Sequence, residues 1–338
     1  MAATDIVELL EKVSAVAVDG IVQSKAISRA EREALVRAGW LHRIMRGWYL
    51  LLQPTDDAGV TTAWYASFWA FASQYLANRL GEEYCLSAES SLDLHLAPTA
   101  IPHQSVVISA RGGSSVVELP GQTSLLTYQQ AHALPDADDV EVVRGVRTMT
   151  LPLALARVSP AFFERQPDLA ELALRMLGEP SLLVRTLVGG RHLAASERIA
   201  GALEFLGEQR ASERIKTAMA SAGDTIRPQN PFHRDRPTFA VGTRFRSPYA
   251  GRVKTHWATM RESVLTHFDI APTVVGSVGA VLERVEAAHV EDAYHSLSIE
   301  GYQVTPELIE RIRDGEWDPS TPAGQQQRDA FAAKGYHE

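Results

Sequence analysis

The hydrophobic period of this chain changes twice. Up to Leu96 helical spacing of the apolar residues dominates, interrupted by two short strand-like runs within 41–51; from Gln104 to Thr150 they alternate, and from Leu151 onward helical spacing returns. A chain that reads helix, strand, then helix again is expected to fold as α+β, mostly helical, with a mixed α/β middle domain. At 338 residues it has room for two or three such bodies.

The first body is expected over residues 1–55. Ile6, Leu9, Leu10 and Val13 form the apolar face of a helix over 4–17, which Gly20 breaks. Val22–Ala26 reads as a short second helix. Ser28-Arg-Ala-Glu31 is a capping box, with the acid three residues after the serine. The helix it opens runs from Arg29 to Ala38 and stops at Gly39. Leu41–Ile44 and Arg46–Leu51 read as two short strands with Gly47 in the bend. Three helices followed by a hairpin is the order of a winged helix-turn-helix, with 28–38 as the recognition helix.

Charge supports a nucleic-acid role for this region. Net charge is −8 over the whole chain, yet from Ser24 to Arg46 six basic residues face only Glu31 and Glu33, a local +4. The expected contacts to double-stranded operator DNA are Lys25, Ser28, Arg29 and Arg32 at the start of the helix, Arg37 further along it, and Arg43 and Arg46 on the wing. A winged helix used only for protein contact is the alternative.

Pro54–Gly59 is a polar break. The helix over Thr61–Leu80 carries Trp64, Tyr65, Phe68, Trp69, Phe71 and Tyr75, a stripe expected to be core. Ser87–Leu96 reads as a helix. Its Glu89 and His95 are six apart, which suits neither a metal nor an acid–base pair, so both read as satisfied polar groups. Strands follow over 104–110, 115–119, 124–128 and 140–150, with Gly145 in a hairpin. Helices are expected at 151–158, 169–177 and 181–188, then one long helix from 194 to about 222. Together 60–222 form the expected second domain. Residues 223–246, rich in proline and arginine, read as an exposed linker; an added DNA contact is the sharper alternative. From 247 onward the chain is helical again, over 252–268, 278–298 and 306–314, ending in a polar tail.

The motifs exclude several chemistries. No phosphate-binding loop, nucleophile elbow or zinc-protease pair is present. The carboxylates at 136–141 read as a solvated loop, and the 11 histidines show no ligand spacing, so neither catalytic residues nor metal ligands are assigned. The single cysteine, Cys85, reads as a small buried apolar residue and suits a reducing cytoplasm. No leader peptide and no membrane-spanning run are expected.

One motif points elsewhere. In His295-Ser-Leu-Ser-Ile-Glu-Gly-Tyr-Gln-Val-Thr305, Ser296 and Glu300 share a helix face and Gly301 lets the backbone leave the helix. Thr305-Pro306-Glu307 then restarts a helix. The string resembles the inhibitory-helix motif of Fic (Fido) proteins, Ser/Thr-x-x-x-Glu-Gly/Asn, and the likeness extends over 243–337. It implies that Glu300 pairs with an active-site arginine and fills the ATP γ-phosphate site, while Ser296 fastens the helix to the catalytic bundle. The Fic catalytic motif, His-Pro-Phe-x-Asp/Glu-Gly-Asn-Gly-Arg-x-x-Arg, is absent. The nearest string, Asn230-Pro-Phe-His233, lacks its glycines. The expected partner is therefore a Fic core, in cis beyond Glu338 or as a separate toxin chain. ATP and Mg²⁺ are implied only for that core.

Gly39-Trp-Leu-His-Arg and Arg46-Gly-Trp-Tyr49 also resemble the N-terminal domain of AbiEi-type antitoxins, and the helix–sheet–helix middle resembles their body. The resemblances imply an antitoxin-like, DNA-binding inhibitor of protein adenylylation. A transcriptional repressor or AbiEi-like antitoxin with a vestigial Fic segment is the alternative reading.

Overall fold

The computed structural model describes residues 3–54, 60–96, 101–178, 180–233, 243–267, 277–300, 302–317 and 324–337. The fold is mixed α and β with helix predominating, and the chain divides into two compact units, Met1–Val264 and Leu265–Glu338.

The first unit opens with α1 (Ala3–Val16), β1 (Ile21–Gln23), a single 3-10 turn at Ser24–Ala26, α2 (Arg29–Arg37), β2 (Leu41–Met45) and β3 (Trp48–Leu51). The strands form an antiparallel sheet in the order β1-β3-β2, with Val22 opposite Tyr49 and Arg43 opposite Tyr49 on the other side. The short helix expected at 22–26 is thus corrected. Ile21 and Val22 are β-branched and fully buried against β3, and what remains of the helix is one turn. The capping box is present as read: Ser28 Oγ accepts from the Glu31 amide, and Glu31 accepts from the Ser28 amide.

The chain continues through α3 (Val60–Leu80), β4 (Tyr84–Leu86), α4 (Ala88–Leu96), β5 (Gln104–Ser109), β6 (Ser115–Leu119) and β7 (Thr123–Gln129). These strands pair in the order β4-β5-β7-β6, with β5 and β7 parallel and the other pairs antiparallel. A separate hairpin joins β8 (Val140–Val143) to β9 (Val146–Met149). Its turn is Arg144-Gly145, both with positive φ, as a tight two-residue hairpin requires.

The aromatic stripe of α3 is core except for Tyr65, which is exposed and donates its hydroxyl to Gly121 O at 2.8 Å. Trp64, Phe68 and Phe71 are fully buried, and Trp48 of β3 meets Phe71 edge-on at 5.5 Å. Ile21, Ile44, Trp48 and Leu50 share one apolar cluster with α3 and the four-stranded sheet. Each fully buried side chain of this size contributes roughly 1.5–3 kcal/mol.

A second cluster is helical: α5 (Leu151–Arg157), α6 (Pro160–Arg165), α7 (Pro167–Met176), α8 (Pro180–Gly189), α9 (Leu193–Phe205) and α10 (Gln209–Ser221). The long helix expected over 194–222 is two helices. Gly207, at φ +78°, ends α9 in the left-handed region, and α10 packs back against it.

The expected linker also needs correction in its described part. Gln229 donates its amide to Glu197 O at 2.9 Å, and a Cβ on Gly201 would stand 2.2 Å from the Gln229 backbone, so the segment lies directly on α9. Phe232 is buried between Phe163 and Phe205. Arg244 is bound through two nitrogens to Glu208 at 3.0 Å. This stretch closes a core and is no free tether. Residues 234–242 lie outside the described residues.

α11 (Pro248–His267) carries the chain into the second unit. There α12 (Val278–Ile299), α13 (Pro306–Arg313) and α14 (Gly324–His337) close a small core around Ala293, Leu297, Ile309, Ile312, Ala330 and Ala333. The polar tail is corrected to a helix: Phe331 of α14 meets Trp317 edge-on at 5.3 Å.

Candidate functional site

The basic surface of the first unit is built on α2 and the sheet behind it. Ser28 is exposed and already serves as helix cap. Glu31, two positions inside the helix, also pairs with Lys12 of α1. Hydrogen bonds from Lys12 and then Ser28 hold its carboxyl down to about 2.

The predicted cations fall into two groups. Arg29 pairs with Glu33 at 2.7 Å, one turn on, and Arg37 donates to the Glu33 carbonyl at 3.2 Å. Arg32 is half-buried. It donates to Ser24 O at 3.3 Å and stacks over the Tyr49 ring at 5.8 Å, tying the 3-10 turn, α2 and β3 together. Lys25, Arg43 and Arg46 are exposed, and no ion pair among the described residues engages them. The turn and the hairpin therefore carry the available positive charge, while that of α2 is partly neutralised by Glu33.

The helix-end motif lies in the second unit. Glu300 caps α12: its amide donates to the carbonyls of Ser296 and Ser298, and its residue is exposed. Thr305 Oγ1 accepts from the Leu308 amide at 3.3 Å and Pro306 opens α13, as read from sequence. Gly301 lies outside the described residues. Ser296 Oγ sits 3.4 Å from the Tyr336 hydroxyl, which donates to Asp292 one turn earlier on α12. The sequence alone does not reveal this contact, because Tyr336 falls in what reads as a polar tail. Ile299, beside Glu300, is 87% exposed, the most exposed large apolar side chain described.

Other predicted groups settle as structure. His95 bonds to Met149 O at 2.8 Å and Glu89 to Arg165 at 3.0 Å. In Asn230-Pro-Phe-His233, Asn230 Oδ1 accepts from the Phe232 amide and Phe232 fills the core. Cys85 is fully buried, and burial pushes its thiol up to about 12, far from a reactive thiolate. Among the described residues no group of three or more His, Cys, Asp or Glu is placed to hold a metal ion. No described helix is long and apolar enough to cross a membrane.

A scan against protein-family models and a search of curated proteins both find no match for this chain.

Proposed function

We propose that this protein is a DNA-binding regulator that also restrains a Fic adenylyltransferase core. The observation that carries the DNA-binding half is the assembly of α2 on the β1-β3-β2 sheet, followed by a tight hairpin with exposed Arg43 and Arg46. We read this arrangement as a winged helix whose first helix-turn-helix helix is reduced to the Ser24–Ala26 turn. In this reading α2 enters the major groove, while Lys25, Arg43 and Arg46 bind phosphate and fix the register.

The inhibitory half rests on the motif Ser296, Glu300 and Gly301 and on the exposed helix end that carries its glutamate. Glu300 takes the arginine meant for the ATP γ-phosphate, so the nucleotide cannot bind productively. The core is supplied in the same polypeptide or by a separate toxin chain, and ATP and Mg²⁺ belong to that core. A repressor or AbiEi-like antitoxin with a vestigial Fic segment is the second reading. The Ser296–Tyr336 contact favours it, because the anchoring hydroxyl already has a neighbour inside its own unit.

One pair of measurements separates these readings. Duplexes selected from a random pool are titrated by fluorescence anisotropy between 50 and 200 mM salt, over which an interface with several phosphate contacts loses affinity by orders of magnitude. A flat response removes the DNA-binding half. Glu300→Gly is then introduced into the protein purified with its Fic core, and adenylyl transfer is followed with labelled ATP. A rise supports inhibition; an unchanged rate leaves the repressor reading.

A further inference from the structure

A cavity of about 690 Å³ opens in the first unit between α4, α7 and α11, with Gln104 and Val106 of β5 on its wall. That size suits a small molecule. Ile101, Leu169 and Leu172 give it an apolar side. Glu89 and Asp93 stand one turn apart on α4, on one face. Glu89 already has Arg165. Asp93 is half-buried and has no hydrogen-bond or ion-pair partner among the described residues. Burial, then the charge of Glu89, lifts its carboxyl to about 6.

Among the described residues, the remaining ionisable groups of the cavity leave that carboxylate uncompensated. Asp168 of α7 and Arg252 of α11 have partners of their own. His103 is bonded to Gln122 O at 3.2 Å, and His256 of α11 is exposed at the rim. A bare divalent ion needs several converging oxygen donors. No such group of side chains is found among the described residues. The fitting occupant therefore brings one positive charge and apolar length.

We propose that this cavity binds a small organic cation, an aliphatic amine or guanidine, whose charged head pairs with Asp93 and whose carbon chain lies along Leu169 and Leu172. The site is independent of the DNA-binding and Fic readings.

The test is calorimetric titration of the full chain at pH 7.5 with n-butylguanidine and n-hexylamine, using n-hexanol as the neutral control. Single-site binding of either cation is expected, at least about tenfold tighter than the alcohol, the scale of one charge-assisted contact. Asp93→Asn is expected to remove that tenfold preference. Asp136→Asn, on an exposed loop, leaves it intact. Lowering the pH from 7.5 to 5 on the unaltered chain gives a second readout: cation binding falls as Asp93 is protonated, and hexanol binding holds. The proposal is overturned if neither cation binds, if Asp93→Asn binds them equally well, or if the preference persists at pH 5.

Discussion

Arg175 Nε lies 2.7 Å from Glu171 Oε1, one helical turn apart on α7, and both side chains are all but sealed from solvent. The same guanidinium approaches Glu208 at 3.6 Å and donates to Thr243 O at 3.3 Å. Glu208 in turn holds Arg244. One buried cation thus joins α7, the start of α10 and the segment leading to α11. Arg175→Met leaves Glu171 buried without this partner and is expected to cost about 3–5 kcal/mol in urea melts at neutral pH. The double variant Glu171→Gln with Arg175→Met removes both charges and is expected to recover much of that loss. If the single variant matches the parent chain, the pair has no structural role.

For DNA binding, the cations without acidic partners are expected to dominate the salt response. Lys25→Ala, Arg43→Ala and Arg46→Ala should each reduce the slope of log affinity against log salt by about 1. Arg37→Ala, whose guanidinium turns back onto its own helix, should change it least. Arg29→Ala and Arg32→Ala should abolish specific binding, Arg32 partly through the lost stack on Tyr49. Equal slopes for all variants would place the DNA elsewhere.

Acid should loosen the N-terminal helices in a defined window. The folded-state pKa of Glu31 is depressed from about 4.5 to about 2. Its contribution is therefore complete above about 4.5 and is lost as pH falls toward 2. Glu31→Gln should flatten this part of the stability–pH curve. Ser28→Ala, which removes the cap, should cost about 1 kcal/mol at neutral pH. A stability–pH curve for Glu31→Gln that parallels the parent between pH 5 and 2 would disprove the linkage.

In the second unit, Tyr336→Phe deletes the hydroxyl that reaches Asp292 and Ser296. The expected loss is about 0.5–1.5 kcal/mol. It should be seen as faster hydrogen exchange in α12 near Ser296. Unchanged protection there would mean that α14 is held by its apolar contacts, Ala330, Phe331 and Ala333, without help from the hydroxyl.

An excised fragment covering residues 1–55 is expected not to fold by itself. It would carry Ile21, Ile44, Trp48 and Leu50, which share their core with α3, into water. A cooperative melt for that fragment would contradict the shared core.

Sequence made the local rules legible. Ser28 and Glu31, Gly145, Thr305 and Pro306, and the alternation over 104–149 each act within a few residues, and each appears where it was read. What stayed hidden depended on distant partners. Ile21 became strand because β3 lies beside it, Phe232 became core because α6 and α9 make room for it, and Tyr336 gained structure from Asp292, 44 residues earlier. Asp93 carries no signal in the sequence, because the cavity it lines is made with the distant helices α7 and α11. The conformational signal of Gly207 was overlooked inside a helical run.

The edge-on meeting of Trp48 with Phe71 leaves the hairpin without a swivel. Tyr75 touches the same indole, and Gln74 donates to Val18 O at 2.9 Å from the neighbouring turn of α3. In the DNA-binding reading, α2 and the hairpin are the tip of a lever whose shaft is α3. A tilt of that shaft would be delivered to the tip through these three contacts.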